Sequence, residues 1–403
     1  MPSRKCKILF FAEGATLAHV GRPLVLAQGL DLKQYDVTFA RPTSYAWVSA
    51  NAGFPVVDLD CQKSATFAQR LERGQPLYDL PTLERYVEND LALIEAHKPD
   101  VIVGDFRLSL TVSARLRGVP YITICDAYWS PEQPLRPALP VLTFTRFAPI
   151  FLAERVFRTA WPLAQRLHSA PVEHLRARHG LPSLGHDLRR CYTDADLRLF
   201  ANIPALFPQL RRSTQADFIG PIAWSPPDRT DLDVLEGGDP LVYVTMGSSG
   251  DPRVLATLIP VLEQTGARIV VATAGKPLPA GIGSARTQVF DFLPGDQLCR
   301  HASLVVCNGG SPTTNQALRN GVPVLGIASN MDQFLNMQAI ENFSAGLMLR
   351  SDRASTTHIR QAVASILGNA TYRQRASLLA QDKERTTTLT QAIESLSRPV
   401  DSA

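Results

Sequence analysis

The sequence predicts an α/β protein of two domains, each built around a parallel β-sheet. Short apolar and β-branched segments alternate along the chain with segments of helical periodicity, which is typical of βαβ units. Glycine-containing turns follow two of the apolar segments, at residues 246–250 and 307–310, where a parallel sheet binds its ligands. With 403 residues, the chain has room for two ordinary hydrophobic cores.

The composition narrows the class of protein. The net charge is only +4 and the basic residues are dispersed, so nucleic-acid binding is not indicated. The six cysteines are scattered without a C-x-x-C pair, so we expect neither a disulfide framework nor a zinc site, and a reducing cytoplasm fits. No apolar run is long enough to cross a bilayer. Glu13 interrupts the first apolar segment, which therefore predicts a strand rather than a signal peptide.

Residues 1–220 are predicted to form the first domain. Strands are expected at residues 7–12, 36–40, 55–58, 101–104, 121–125, 196–201 and 217–220, and helices at about 20–30 and 83–97. Residues 221–239, with prolines, two glycines and several charges, are predicted to be the linker between the domains.

Residues 240–380 are predicted to form the second domain, followed by a C-terminal helix within residues 381–403. Its strands are expected at residues 241–245, 268–272, 287–290, 302–306 and 322–327. Helical stretches are expected near residues 358–367 and 372–396.

The stretch from Cys307 to Ala317 is the most informative part of the chain. It carries a strand into a helix through two glycines, with Ser311 expected as the N-cap and Pro312 as the first helical residue. The free N–H groups of Thr313 and Thr314, at the positive end of the helix, would then form a seat for a phosphate. The alternative is a tight strand–helix turn that binds no ligand.

A carboxylate and an amide, Asp332 and Gln333, follow the next apolar strand and suit recognition of paired sugar hydroxyls. The run from Asn308 to Asn336 resembles the nucleotide-sugar signature of family 1 glycosyltransferases, H-G-G-x-G-T-x-x-E-A followed by G-x-P and D-Q-x-x-N. The spacing matches throughout, but Asn308 replaces the family histidine, Pro312 a glycine, and Gln316 the glutamate that contacts the ribose.

This resemblance implies the GT-B fold, with two Rossmann-like domains facing across a cleft and the last helix crossing back onto the first domain. It also implies a donor site for a nucleotide sugar. The residues expected there hold the diphosphate (Gly247, Ser248, Asn308, Gly309, Gly310, Ser311, Thr313 and Thr314), the ribose (Gln316) and the sugar (Asp332 and Gln333). Phe292 matches an aromatic position that stacks on the nucleobase in the family, although a plain core role is an equal alternative.

His19 and Asp105 are the candidate catalytic pair. His19 lies in the loop after the first strand, where the family carries G-H-x-x-P with a catalytic histidine, and Asp105 ends a later strand, as does the aspartate that pairs with it. Here Ala18 precedes the histidine and the proline comes one place later. A hydroxyl that attacks an anomeric carbon must lose its proton, which imidazole accepts while a carboxylate orients the ring. The alternative is a capping or surface histidine.

Aromatic and basic residues are interleaved between residues 144 and 167. Phe147, Phe151, Phe157 and Trp161 alternate with Arg146, Arg155, Arg158 and Arg166. Three interpretations stay open: an apolar acceptor pocket, a membrane-surface helix, or an ordinary amphipathic helix packed on the sheet. We expect Pro149 and Pro162 to interrupt any continuous helix, which counts against the membrane.

The sequence has neither a convincing metal-binding D-x-D motif nor the glutamate pair of retaining enzymes. Three D-x-D tripeptides, at residues 58–60, 194–196 and 231–233, follow no recognisable nucleotide-binding unit, so no metal site is expected. No two glutamates have the spacing of eight that marks retaining GT-B enzymes, so inversion is favoured.

The leading hypothesis is an inverting glycosyltransferase without a cofactor. It would move a sugar from a UDP- or dTDP-linked donor to a hydroxyl of a largely apolar small molecule or lipid, in the cytoplasm, as a monomer or homodimer. Because an asparagine at 308 brings no positive charge to the leaving diphosphate, a non-catalytic auxiliary homologue is the alternative, with a GT-B sugar-nucleotide epimerase less favoured.

Overall fold

The structure is a computed structural model that describes residues 4–210, 213–228, 239–278, 282, 284, 286–382 and 386–397. Within these residues the first domain contains a seven-stranded parallel sheet, in the order β3-β2-β1-β4-β5-β6-β7. Its strands are β1 (Cys6–Ala12), β2 (Tyr35–Arg41), β3 (Val56–Asp58), β4 (Val101–Asp105), β5 (Tyr121–Cys125), β6 (Leu197–Phe200) and β7 (Ala216–Phe218). Its helices are α1 (Leu17–Gln28), α2 (Ser64–Glu72), α3 (Leu80–His97), α4 (Leu110–Arg117), α5 (Ile150–Arg178) and α6 (Leu188–Thr193).

The second domain repeats this architecture. Among the described residues its parallel sheet has six strands in the order β10-β9-β8-β11-β12-β13. They are β8 (Leu241–Thr245), β9 (Arg268–Ala272), β10 (Thr287–Phe290), β11 (Ala302–Cys307), β12 (Val324–Ala328) and β13 (Gly346–Arg350). The helices are α7 (Leu255–Glu263), α8 (Gly295–His301), α9 (Ser311–Arg319), α10 (Met331–Asn342), α11 (Thr356–Gly368), α12 (Ala370–Ala380) and α13 (Leu389–Ser397).

Both faces of the first sheet are buried, because β1 sends alternate side chains into two separate cores. Phe10 packs with Phe39 and with α1, whereas Phe11 packs with the residues of α3 and α4. A strand that is buried on both faces has a continuous run of apolar residues, and this run is the pattern from which β1 was predicted. All the strands of each sheet run the same way, so their carboxyl ends share one edge, and the two edges face each other across the cleft. The predicted fold class is confirmed.

Several predicted boundaries differ from the structure. Strand β13 and helices α2, α4, α6, α8 and α10 were not predicted. The last helical stretch, expected over residues 372–396, consists of the two helices α12 and α13. The strand expected from residue 322 begins at Val324, because Gly321 has a positive φ of 70° and Pro323 has no N–H for the sheet.

The largest discrepancy is α5. We expected Pro162 to interrupt a helix here, but α5 runs for 29 residues with Pro162 and Pro171 inside it and Pro149 as its N-cap. That prediction is wrong. A proline removes one N–H and crowds the carbonyl four residues back, yet the rest of the helix keeps its bonds and its C-terminal half is anchored by buried Val172 and Leu175.

The C-terminal helix α13 lies on the first domain. Leu389, Ala392 and Ile393 are buried in the same core as Phe10, and the N–H of Thr387 donates to the carbonyl of Phe218 at 2.8 Å. Most of the predicted linker, residues 229–238, and with it the D-x-D at 231–233, lies outside the described residues.

The structure also describes the cysteines and the apolar character of the helices. All six cysteines are described, and each is a free thiol. Among the helices of the described residues, none combines the length and the apolar character needed to cross a membrane.

Candidate active site

The turn between β11 and α9 depends on a glycine with a left-handed backbone. Gly309 has φ of 82°, and a Cβ added there would lie 2.7 Å from Cγ of Met337. Its carbonyl accepts a hydrogen bond from the Asn336 amide at 2.8 Å, and the same amide donates to Oγ1 of Thr314. Asn336, the last residue of the D-Q-x-x-N pattern, therefore ties α10 to the turn.

The start of α9 differs by one residue from the prediction. Gly310 is the N-cap, so Ser311 and Pro312 are the first two helical residues. Ser311 is buried and makes no side-chain cap. The N–H of Thr314 is not free, because it donates to the carbonyl of Gly310 at 3.2 Å. Within the described residues the N–H of Thr313 has no acceptor, so it remains available to a ligand.

Asn308 links the two glycine turns. Its side-chain oxygen accepts from the N–H of Gly310 at 3.1 Å, and its amide donates to Oγ of Ser249 at 3.0 Å. Gly247, in the turn after β8, has φ of 58°, and a Cβ added there would lie 3.7 Å from the nitrogen of the same amide. Asn308 thus fixes the spacing of the turns that the sequence assigned to the diphosphate, and it uses the Gly310 N–H to do so.

Both turns open into one cleft. Residues of the first domain, including Ala18, Arg22 and Trp224, line it together with residues of the second. Of the predicted donor-binding residues, the cleft is lined by Gly247, Ser248, Phe292, Asn308, Gly310, Thr313 and Gln316. It is not lined by Gly309, Ser311, Thr314, Asp332 or Gln333.

Phe292 is part of an aromatic cluster that spans the domains. Its ring is 5.2 Å from that of Trp47, which in turn contacts Trp224 at 5.5 Å. Phe292 is 39% exposed, so it is a wall of the cleft rather than a core residue. Gln316 lies deeper, with its side-chain oxygen 2.6 Å from where a Cβ of Gly295 would stand.

Gln333 and Asp332, the sugar-binding residues expected from the sequence, contact different parts of the protein. Gln333 caps its own helix, accepting from the N–H of Ser329 at 2.8 Å, while its buried amide nitrogen has no partner among the described residues. Asp332 accepts a hydrogen bond at 2.8 Å from the indole N–H of Trp129, a residue of the first domain. Burial, followed by the charge of Asp126, raises the pKa of Asp332, and the Trp129 hydrogen bond opposes the rise.

The candidate catalytic pair is in contact. Nδ1 of His19 lies 2.8 Å from Oδ1 of Asp105, and the imidazole stacks on Phe106 with 4.8 Å between ring centres. His19 is in the first turn of α1, and Asp105 ends the adjacent strand β4. With Nδ1 engaged by the carboxylate, Nε2 is the nitrogen left to accept a proton.

Arg22 is a member of this site that the sequence reasoning missed. Its guanidinium donates to both oxygens of Asp105 at 2.8 Å and to Oδ2 of Asp126 at 2.8 Å. Burial alone would raise the pKa of Asp105, but the charges of Arg22 and His19 hold it below its ordinary value. The signal was available: Arg22 is three residues after His19, on the same helix face, and Asp126 directly follows β5.

A chain of aromatic rings extends from the pair, beginning with Phe106. Phe106 has a positive φ of 57°, an uncommon conformation for a bulky residue, and its ring contacts Tyr192 at 5.1 Å. Tyr192 contacts Trp129 at 5.1 Å. These rings form an apolar cluster beside the pair, outside the residues that line the cleft.

The D-x-D carboxylates that the structure describes are held by arginines or by backbone. Asp58 pairs with Arg41, Asp60 with Arg85, and Asp194 with Arg176. No group of three or more histidine, cysteine or carboxylate side chains placed to hold a metal occurs in the described part of the chain.

Comparison with known proteins places this architecture among glycosyltransferases. Residues 260–397 match the family model described as "Erythromycin biosynthesis protein CIII-like, C-terminal domain". The chain is 40% identical over 381 residues to a PGL/p-HBAD biosynthesis glycosyltransferase of Mycobacterium tuberculosis strain H37Ra, covering 94% of this chain and 89% of that protein. It is also 40% identical to a PGL/p-HBAD biosynthesis rhamnosyltransferase of Mycobacterium bovis strain BCG, covering 94% and 85%.

A third relative carries a different description. It is an inactive PGL/p-HBAD biosynthesis glycosyltransferase of Mycobacterium bovis strain BCG, 39% identical over 262 residues, which cover 64% of this chain and 72% of the relative.

The solved structures agree in fold. The spinosyn forosaminyltransferase SpnP superposes with a TM-score of 0.70 at 16% identity, covering 98% of this chain and 99% of that one. The spinosyn rhamnosyltransferase SpnG, in complex with thymidine diphosphate, superposes with a TM-score of 0.68 at 18% identity, covering 98% and 100%.

Proposed function

The chain belongs to the family of the PGL/p-HBAD biosynthesis glycosyltransferases, and from that membership we propose an inverting, metal-independent transfer of a sugar to an apolar acceptor. The chain is itself a glycosyltransferase of the GT-B fold. The donor we propose is a thymidine diphosphate deoxysugar, tested first with the rhamnose form and against its UDP counterparts. The rhamnosyltransferase relative and the thymidine diphosphate in SpnG support this choice.

One observation carries the proposed mechanism. The His19–Asp105 pair does not itself line the cleft, but its neighbours Ala18 and Arg22 do, together with the two glycine turns, so the proposed base lies next to the proposed diphosphate seat. Asp105 keeps the proton of the imidazole on Nδ1, so that Nε2 accepts the proton of the acceptor hydroxyl. Arg22 acts as a positioning residue that holds the Asp105 carboxylate with two hydrogen bonds.

In the proposed reaction the acceptor oxygen bonds to the anomeric carbon as the bond from that carbon to the phosphate oxygen breaks. The electron pair of the broken bond leaves with the diphosphate, whose charge is received by the N–H of Thr313 and the positive end of α9. The hydroxyl proton moves to Nε2 of His19. Attack on the face away from the diphosphate inverts the anomeric configuration.

The donor contacts follow the same scheme. Ser248 and Gly247 face the diphosphate from the turn after β8, and Gln316 faces the ribose. Asp332 and the free amide of Gln333 are proposed to bind the sugar, with the hydroxyls replacing the Trp129 hydrogen bond. Phe292 stacks on the nucleobase. The acceptor is proposed to be a phenolic or other lipid hydroxyl that rests on the Phe106 and Tyr192 rings.

The test is incubation of the purified chain with dTDP- and UDP-sugars, with and without phenolic lipid acceptors. Mass spectrometry identifies the product, and the coupling constant at its anomeric carbon reports its configuration. Retained configuration would overturn the inverting mechanism. Donor binding without transfer to any acceptor would favour the auxiliary role, for which the inactive relative is the supporting observation.

A further inference from the structure

The N-terminal half of α5 and the segment before it expose an unusual amount of apolar surface. The exposed fractions are 88% for Phe147, 73% for Phe151, 71% for Leu163, 68% for Val156, 57% for Leu167 and 50% for Leu152. We call these six residues the apolar face. Most of the large apolar side chains elsewhere in the described chain are buried, so this concentration calls for a function.

Four residues of the apolar face form a stripe along α5, while Phe147 precedes the helix and Phe151 lies in its first turn, beside the stripe. Leu152, Val156, Leu163 and Leu167 follow one another at spacings of four, seven and four, which places them on one side of a helix. The opposite side of the helix packs against the rest of the protein: Trp161 packs on the core, and Ser169 and Val172 are buried. The helix therefore has two apolar sides, of which one is unpartnered in the described residues.

The segment is held firmly in place. Arg353 of the second domain donates to the carbonyls of Thr145, Arg146 and Ala148, at 2.8, 3.0 and 2.9 Å. Thr145 is fully buried and donates to Asp352 at 2.6 Å. Phe147 and Phe151 thus project from an anchored support, so their exposure is a property of the fold.

The charge beside the apolar face is strongly basic. Arg155 and Arg166 are exposed along one border of the stripe, Arg158 is exposed further round the helix, and Arg146 is exposed beside Phe147. Between residues 144 and 167 the sequence has four arginines and a single acid, Glu154, which Arg158 and Arg350 both approach. We call the four arginines the basic border.

We propose that the apolar face and the basic border dock this enzyme on a bilayer that contains anionic phospholipids. Apolar side chains enter the boundary between headgroups and acyl chains, and arginines at the same level bind lipid phosphates. The exposed helix from Phe151 to Leu167 is about 25 Å long at 1.5 Å per residue, enough to lie along the membrane plane. Lipid acceptors would then be supplied from the same surface.

A second copy of the chain fits this surface less well. A symmetric dimer through the apolar face would bring the basic borders of both copies together, and the only acid of the segment is already engaged. An acidic protein partner would need a groove for side chains this exposed, whereas a fluid bilayer adapts to a projecting ridge.

Co-sedimentation with lipid vesicles tests the proposal without donor or acceptor, so its outcome is independent of the proposed catalysis. The wild-type chain should bind vesicles of phosphatidylcholine and phosphatidylglycerol in equal amounts, and bind pure phosphatidylcholine vesicles much more weakly. Binding to the anionic vesicles should fall as salt is raised.

Two variants separate the apolar and the ionic parts. Phe147→Ser with Phe151→Ser should weaken vesicle binding by about 100-fold, since each ring contributes roughly tenfold on burial. Arg155→Glu with Arg166→Glu should abolish the preference for anionic vesicles. The matched control is Leu378→Ser, an exposed leucine of α12, which should bind like wild type. Circular dichroism melts and activity on a water-soluble acceptor should be unchanged in all three.

Two outcomes would overturn the proposal. One is equal binding of anionic vesicles by the wild type and the double phenylalanine variant, including no binding by either. The other is a dimer of the wild type in sedimentation velocity that the same variant dissolves while vesicle binding stays absent, which would assign the face to a second copy.

Discussion

At the scale of single residues, His19 is the side chain on which the proposed chemistry depends. His19→Ala should lower kcat by about 10²–10⁴-fold, the usual contribution of a general base, and leave donor affinity nearly unchanged. Donor affinity is measured by calorimetry and kcat by product formation. His174→Ala, an exposed histidine of α5, is the control. A kcat within a few-fold of wild type would remove His19 from the mechanism.

Asp105 contributes to both catalysis and stability, and the two can be separated by pH. Asp105→Asn should lower kcat by about 10²–10⁴-fold because the amide cannot stabilise the imidazolium. It should also lower the free energy of unfolding at neutral pH by about 3 kcal/mol, since Arg22 loses one of its two buried carboxylate partners, the other being Asp126.

The stability effect of Asp105 has a defined pH window. Because its folded pKa is depressed, the stabilisation is fully present above the ordinary carboxyl pKa of about 3.9 and is lost as pH falls through the folded value. Urea unfolding of the wild type and Asp105→Asn should therefore converge at acid pH. A difference that is constant across that range would contradict the assigned charge state.

Asn308 tests how much the diphosphate seat depends on the residue that replaced the family histidine. In Asn308→His, Nδ1 can take over the hydrogen bond from Gly310, and the opposite ring nitrogen can donate to a phosphate oxygen. Affinity for dTDP or UDP should then stay equal or tighten by at most about 1–2 kcal/mol.

Calorimetry of the two nucleotides decides this prediction, with Ser249→Ala as control for the bond that histidine cannot replace. Weaker binding by Asn308→His than by Ser249→Ala would show that the asparagine serves a donor of different shape. If neither the wild type nor Asn308→His binds dTDP or UDP, the donor-site proposal is wrong.

At the scale of elements, the turn between β11 and α9 needs glycine for two separate reasons. Gly309→Ala places a side chain on a positive φ and also against Met337 at 2.7 Å. Gly53→Ala is the matched control, because Gly53 has a similar φ of 78° but open space around it. Gly53→Ala should cost about 1 kcal/mol of unfolding free energy, and Gly309→Ala about 1–3 kcal/mol more.

Thermal unfolding with and without dTDP measures this difference. The nucleotide should raise the Tm of Gly53→Ala as it does that of the wild type, and it should raise the Tm of Gly309→Ala less, since the turn that presents the phosphate seat is displaced. Equal losses of unfolding free energy in Gly309→Ala and Gly53→Ala would mean that the Met337 side chain moves aside at no cost. The close packing of α10 would then not determine the conformation of the turn.

At the scale of the whole molecule, the cleft is expected to neutralise the leaving diphosphate with the dipole of α9 and turn amides rather than with a divalent ion. Turnover should therefore persist in excess EDTA at close to its initial rate. Complete loss of turnover on chelation, restored by Mg²⁺ or Mn²⁺, would refute the metal-independent mechanism. A known metal-dependent transferase assayed in parallel confirms that chelation is effective.

What the sequence determined by itself was the backbone plan. Periodicity is a local property, so β5, β9 and β10 were located at their observed limits and the strand–turn–helix around Gly309 was recognised from neighbouring residues alone. The His19–Asp105 contact was also anticipated, because each residue follows or ends a strand and parallel strands bring those ends to one edge.

Only the tertiary structure decided which side chains meet across the chain. The Trp129–Asp332 bond joins residues 203 positions apart, and no local pattern encodes that pairing. The side-chain oxygens of Asn308 and Gln333 accept hydrogen bonds from neighbouring backbone N–H groups. Arg22 binds Asp105 of the catalytic pair, because a buried charge is stable only beside an opposite charge that the fold supplies. The exposure of α5 is likewise a result of packing, since the helix has apolar residues on two sides and the described part of the chain covers only one.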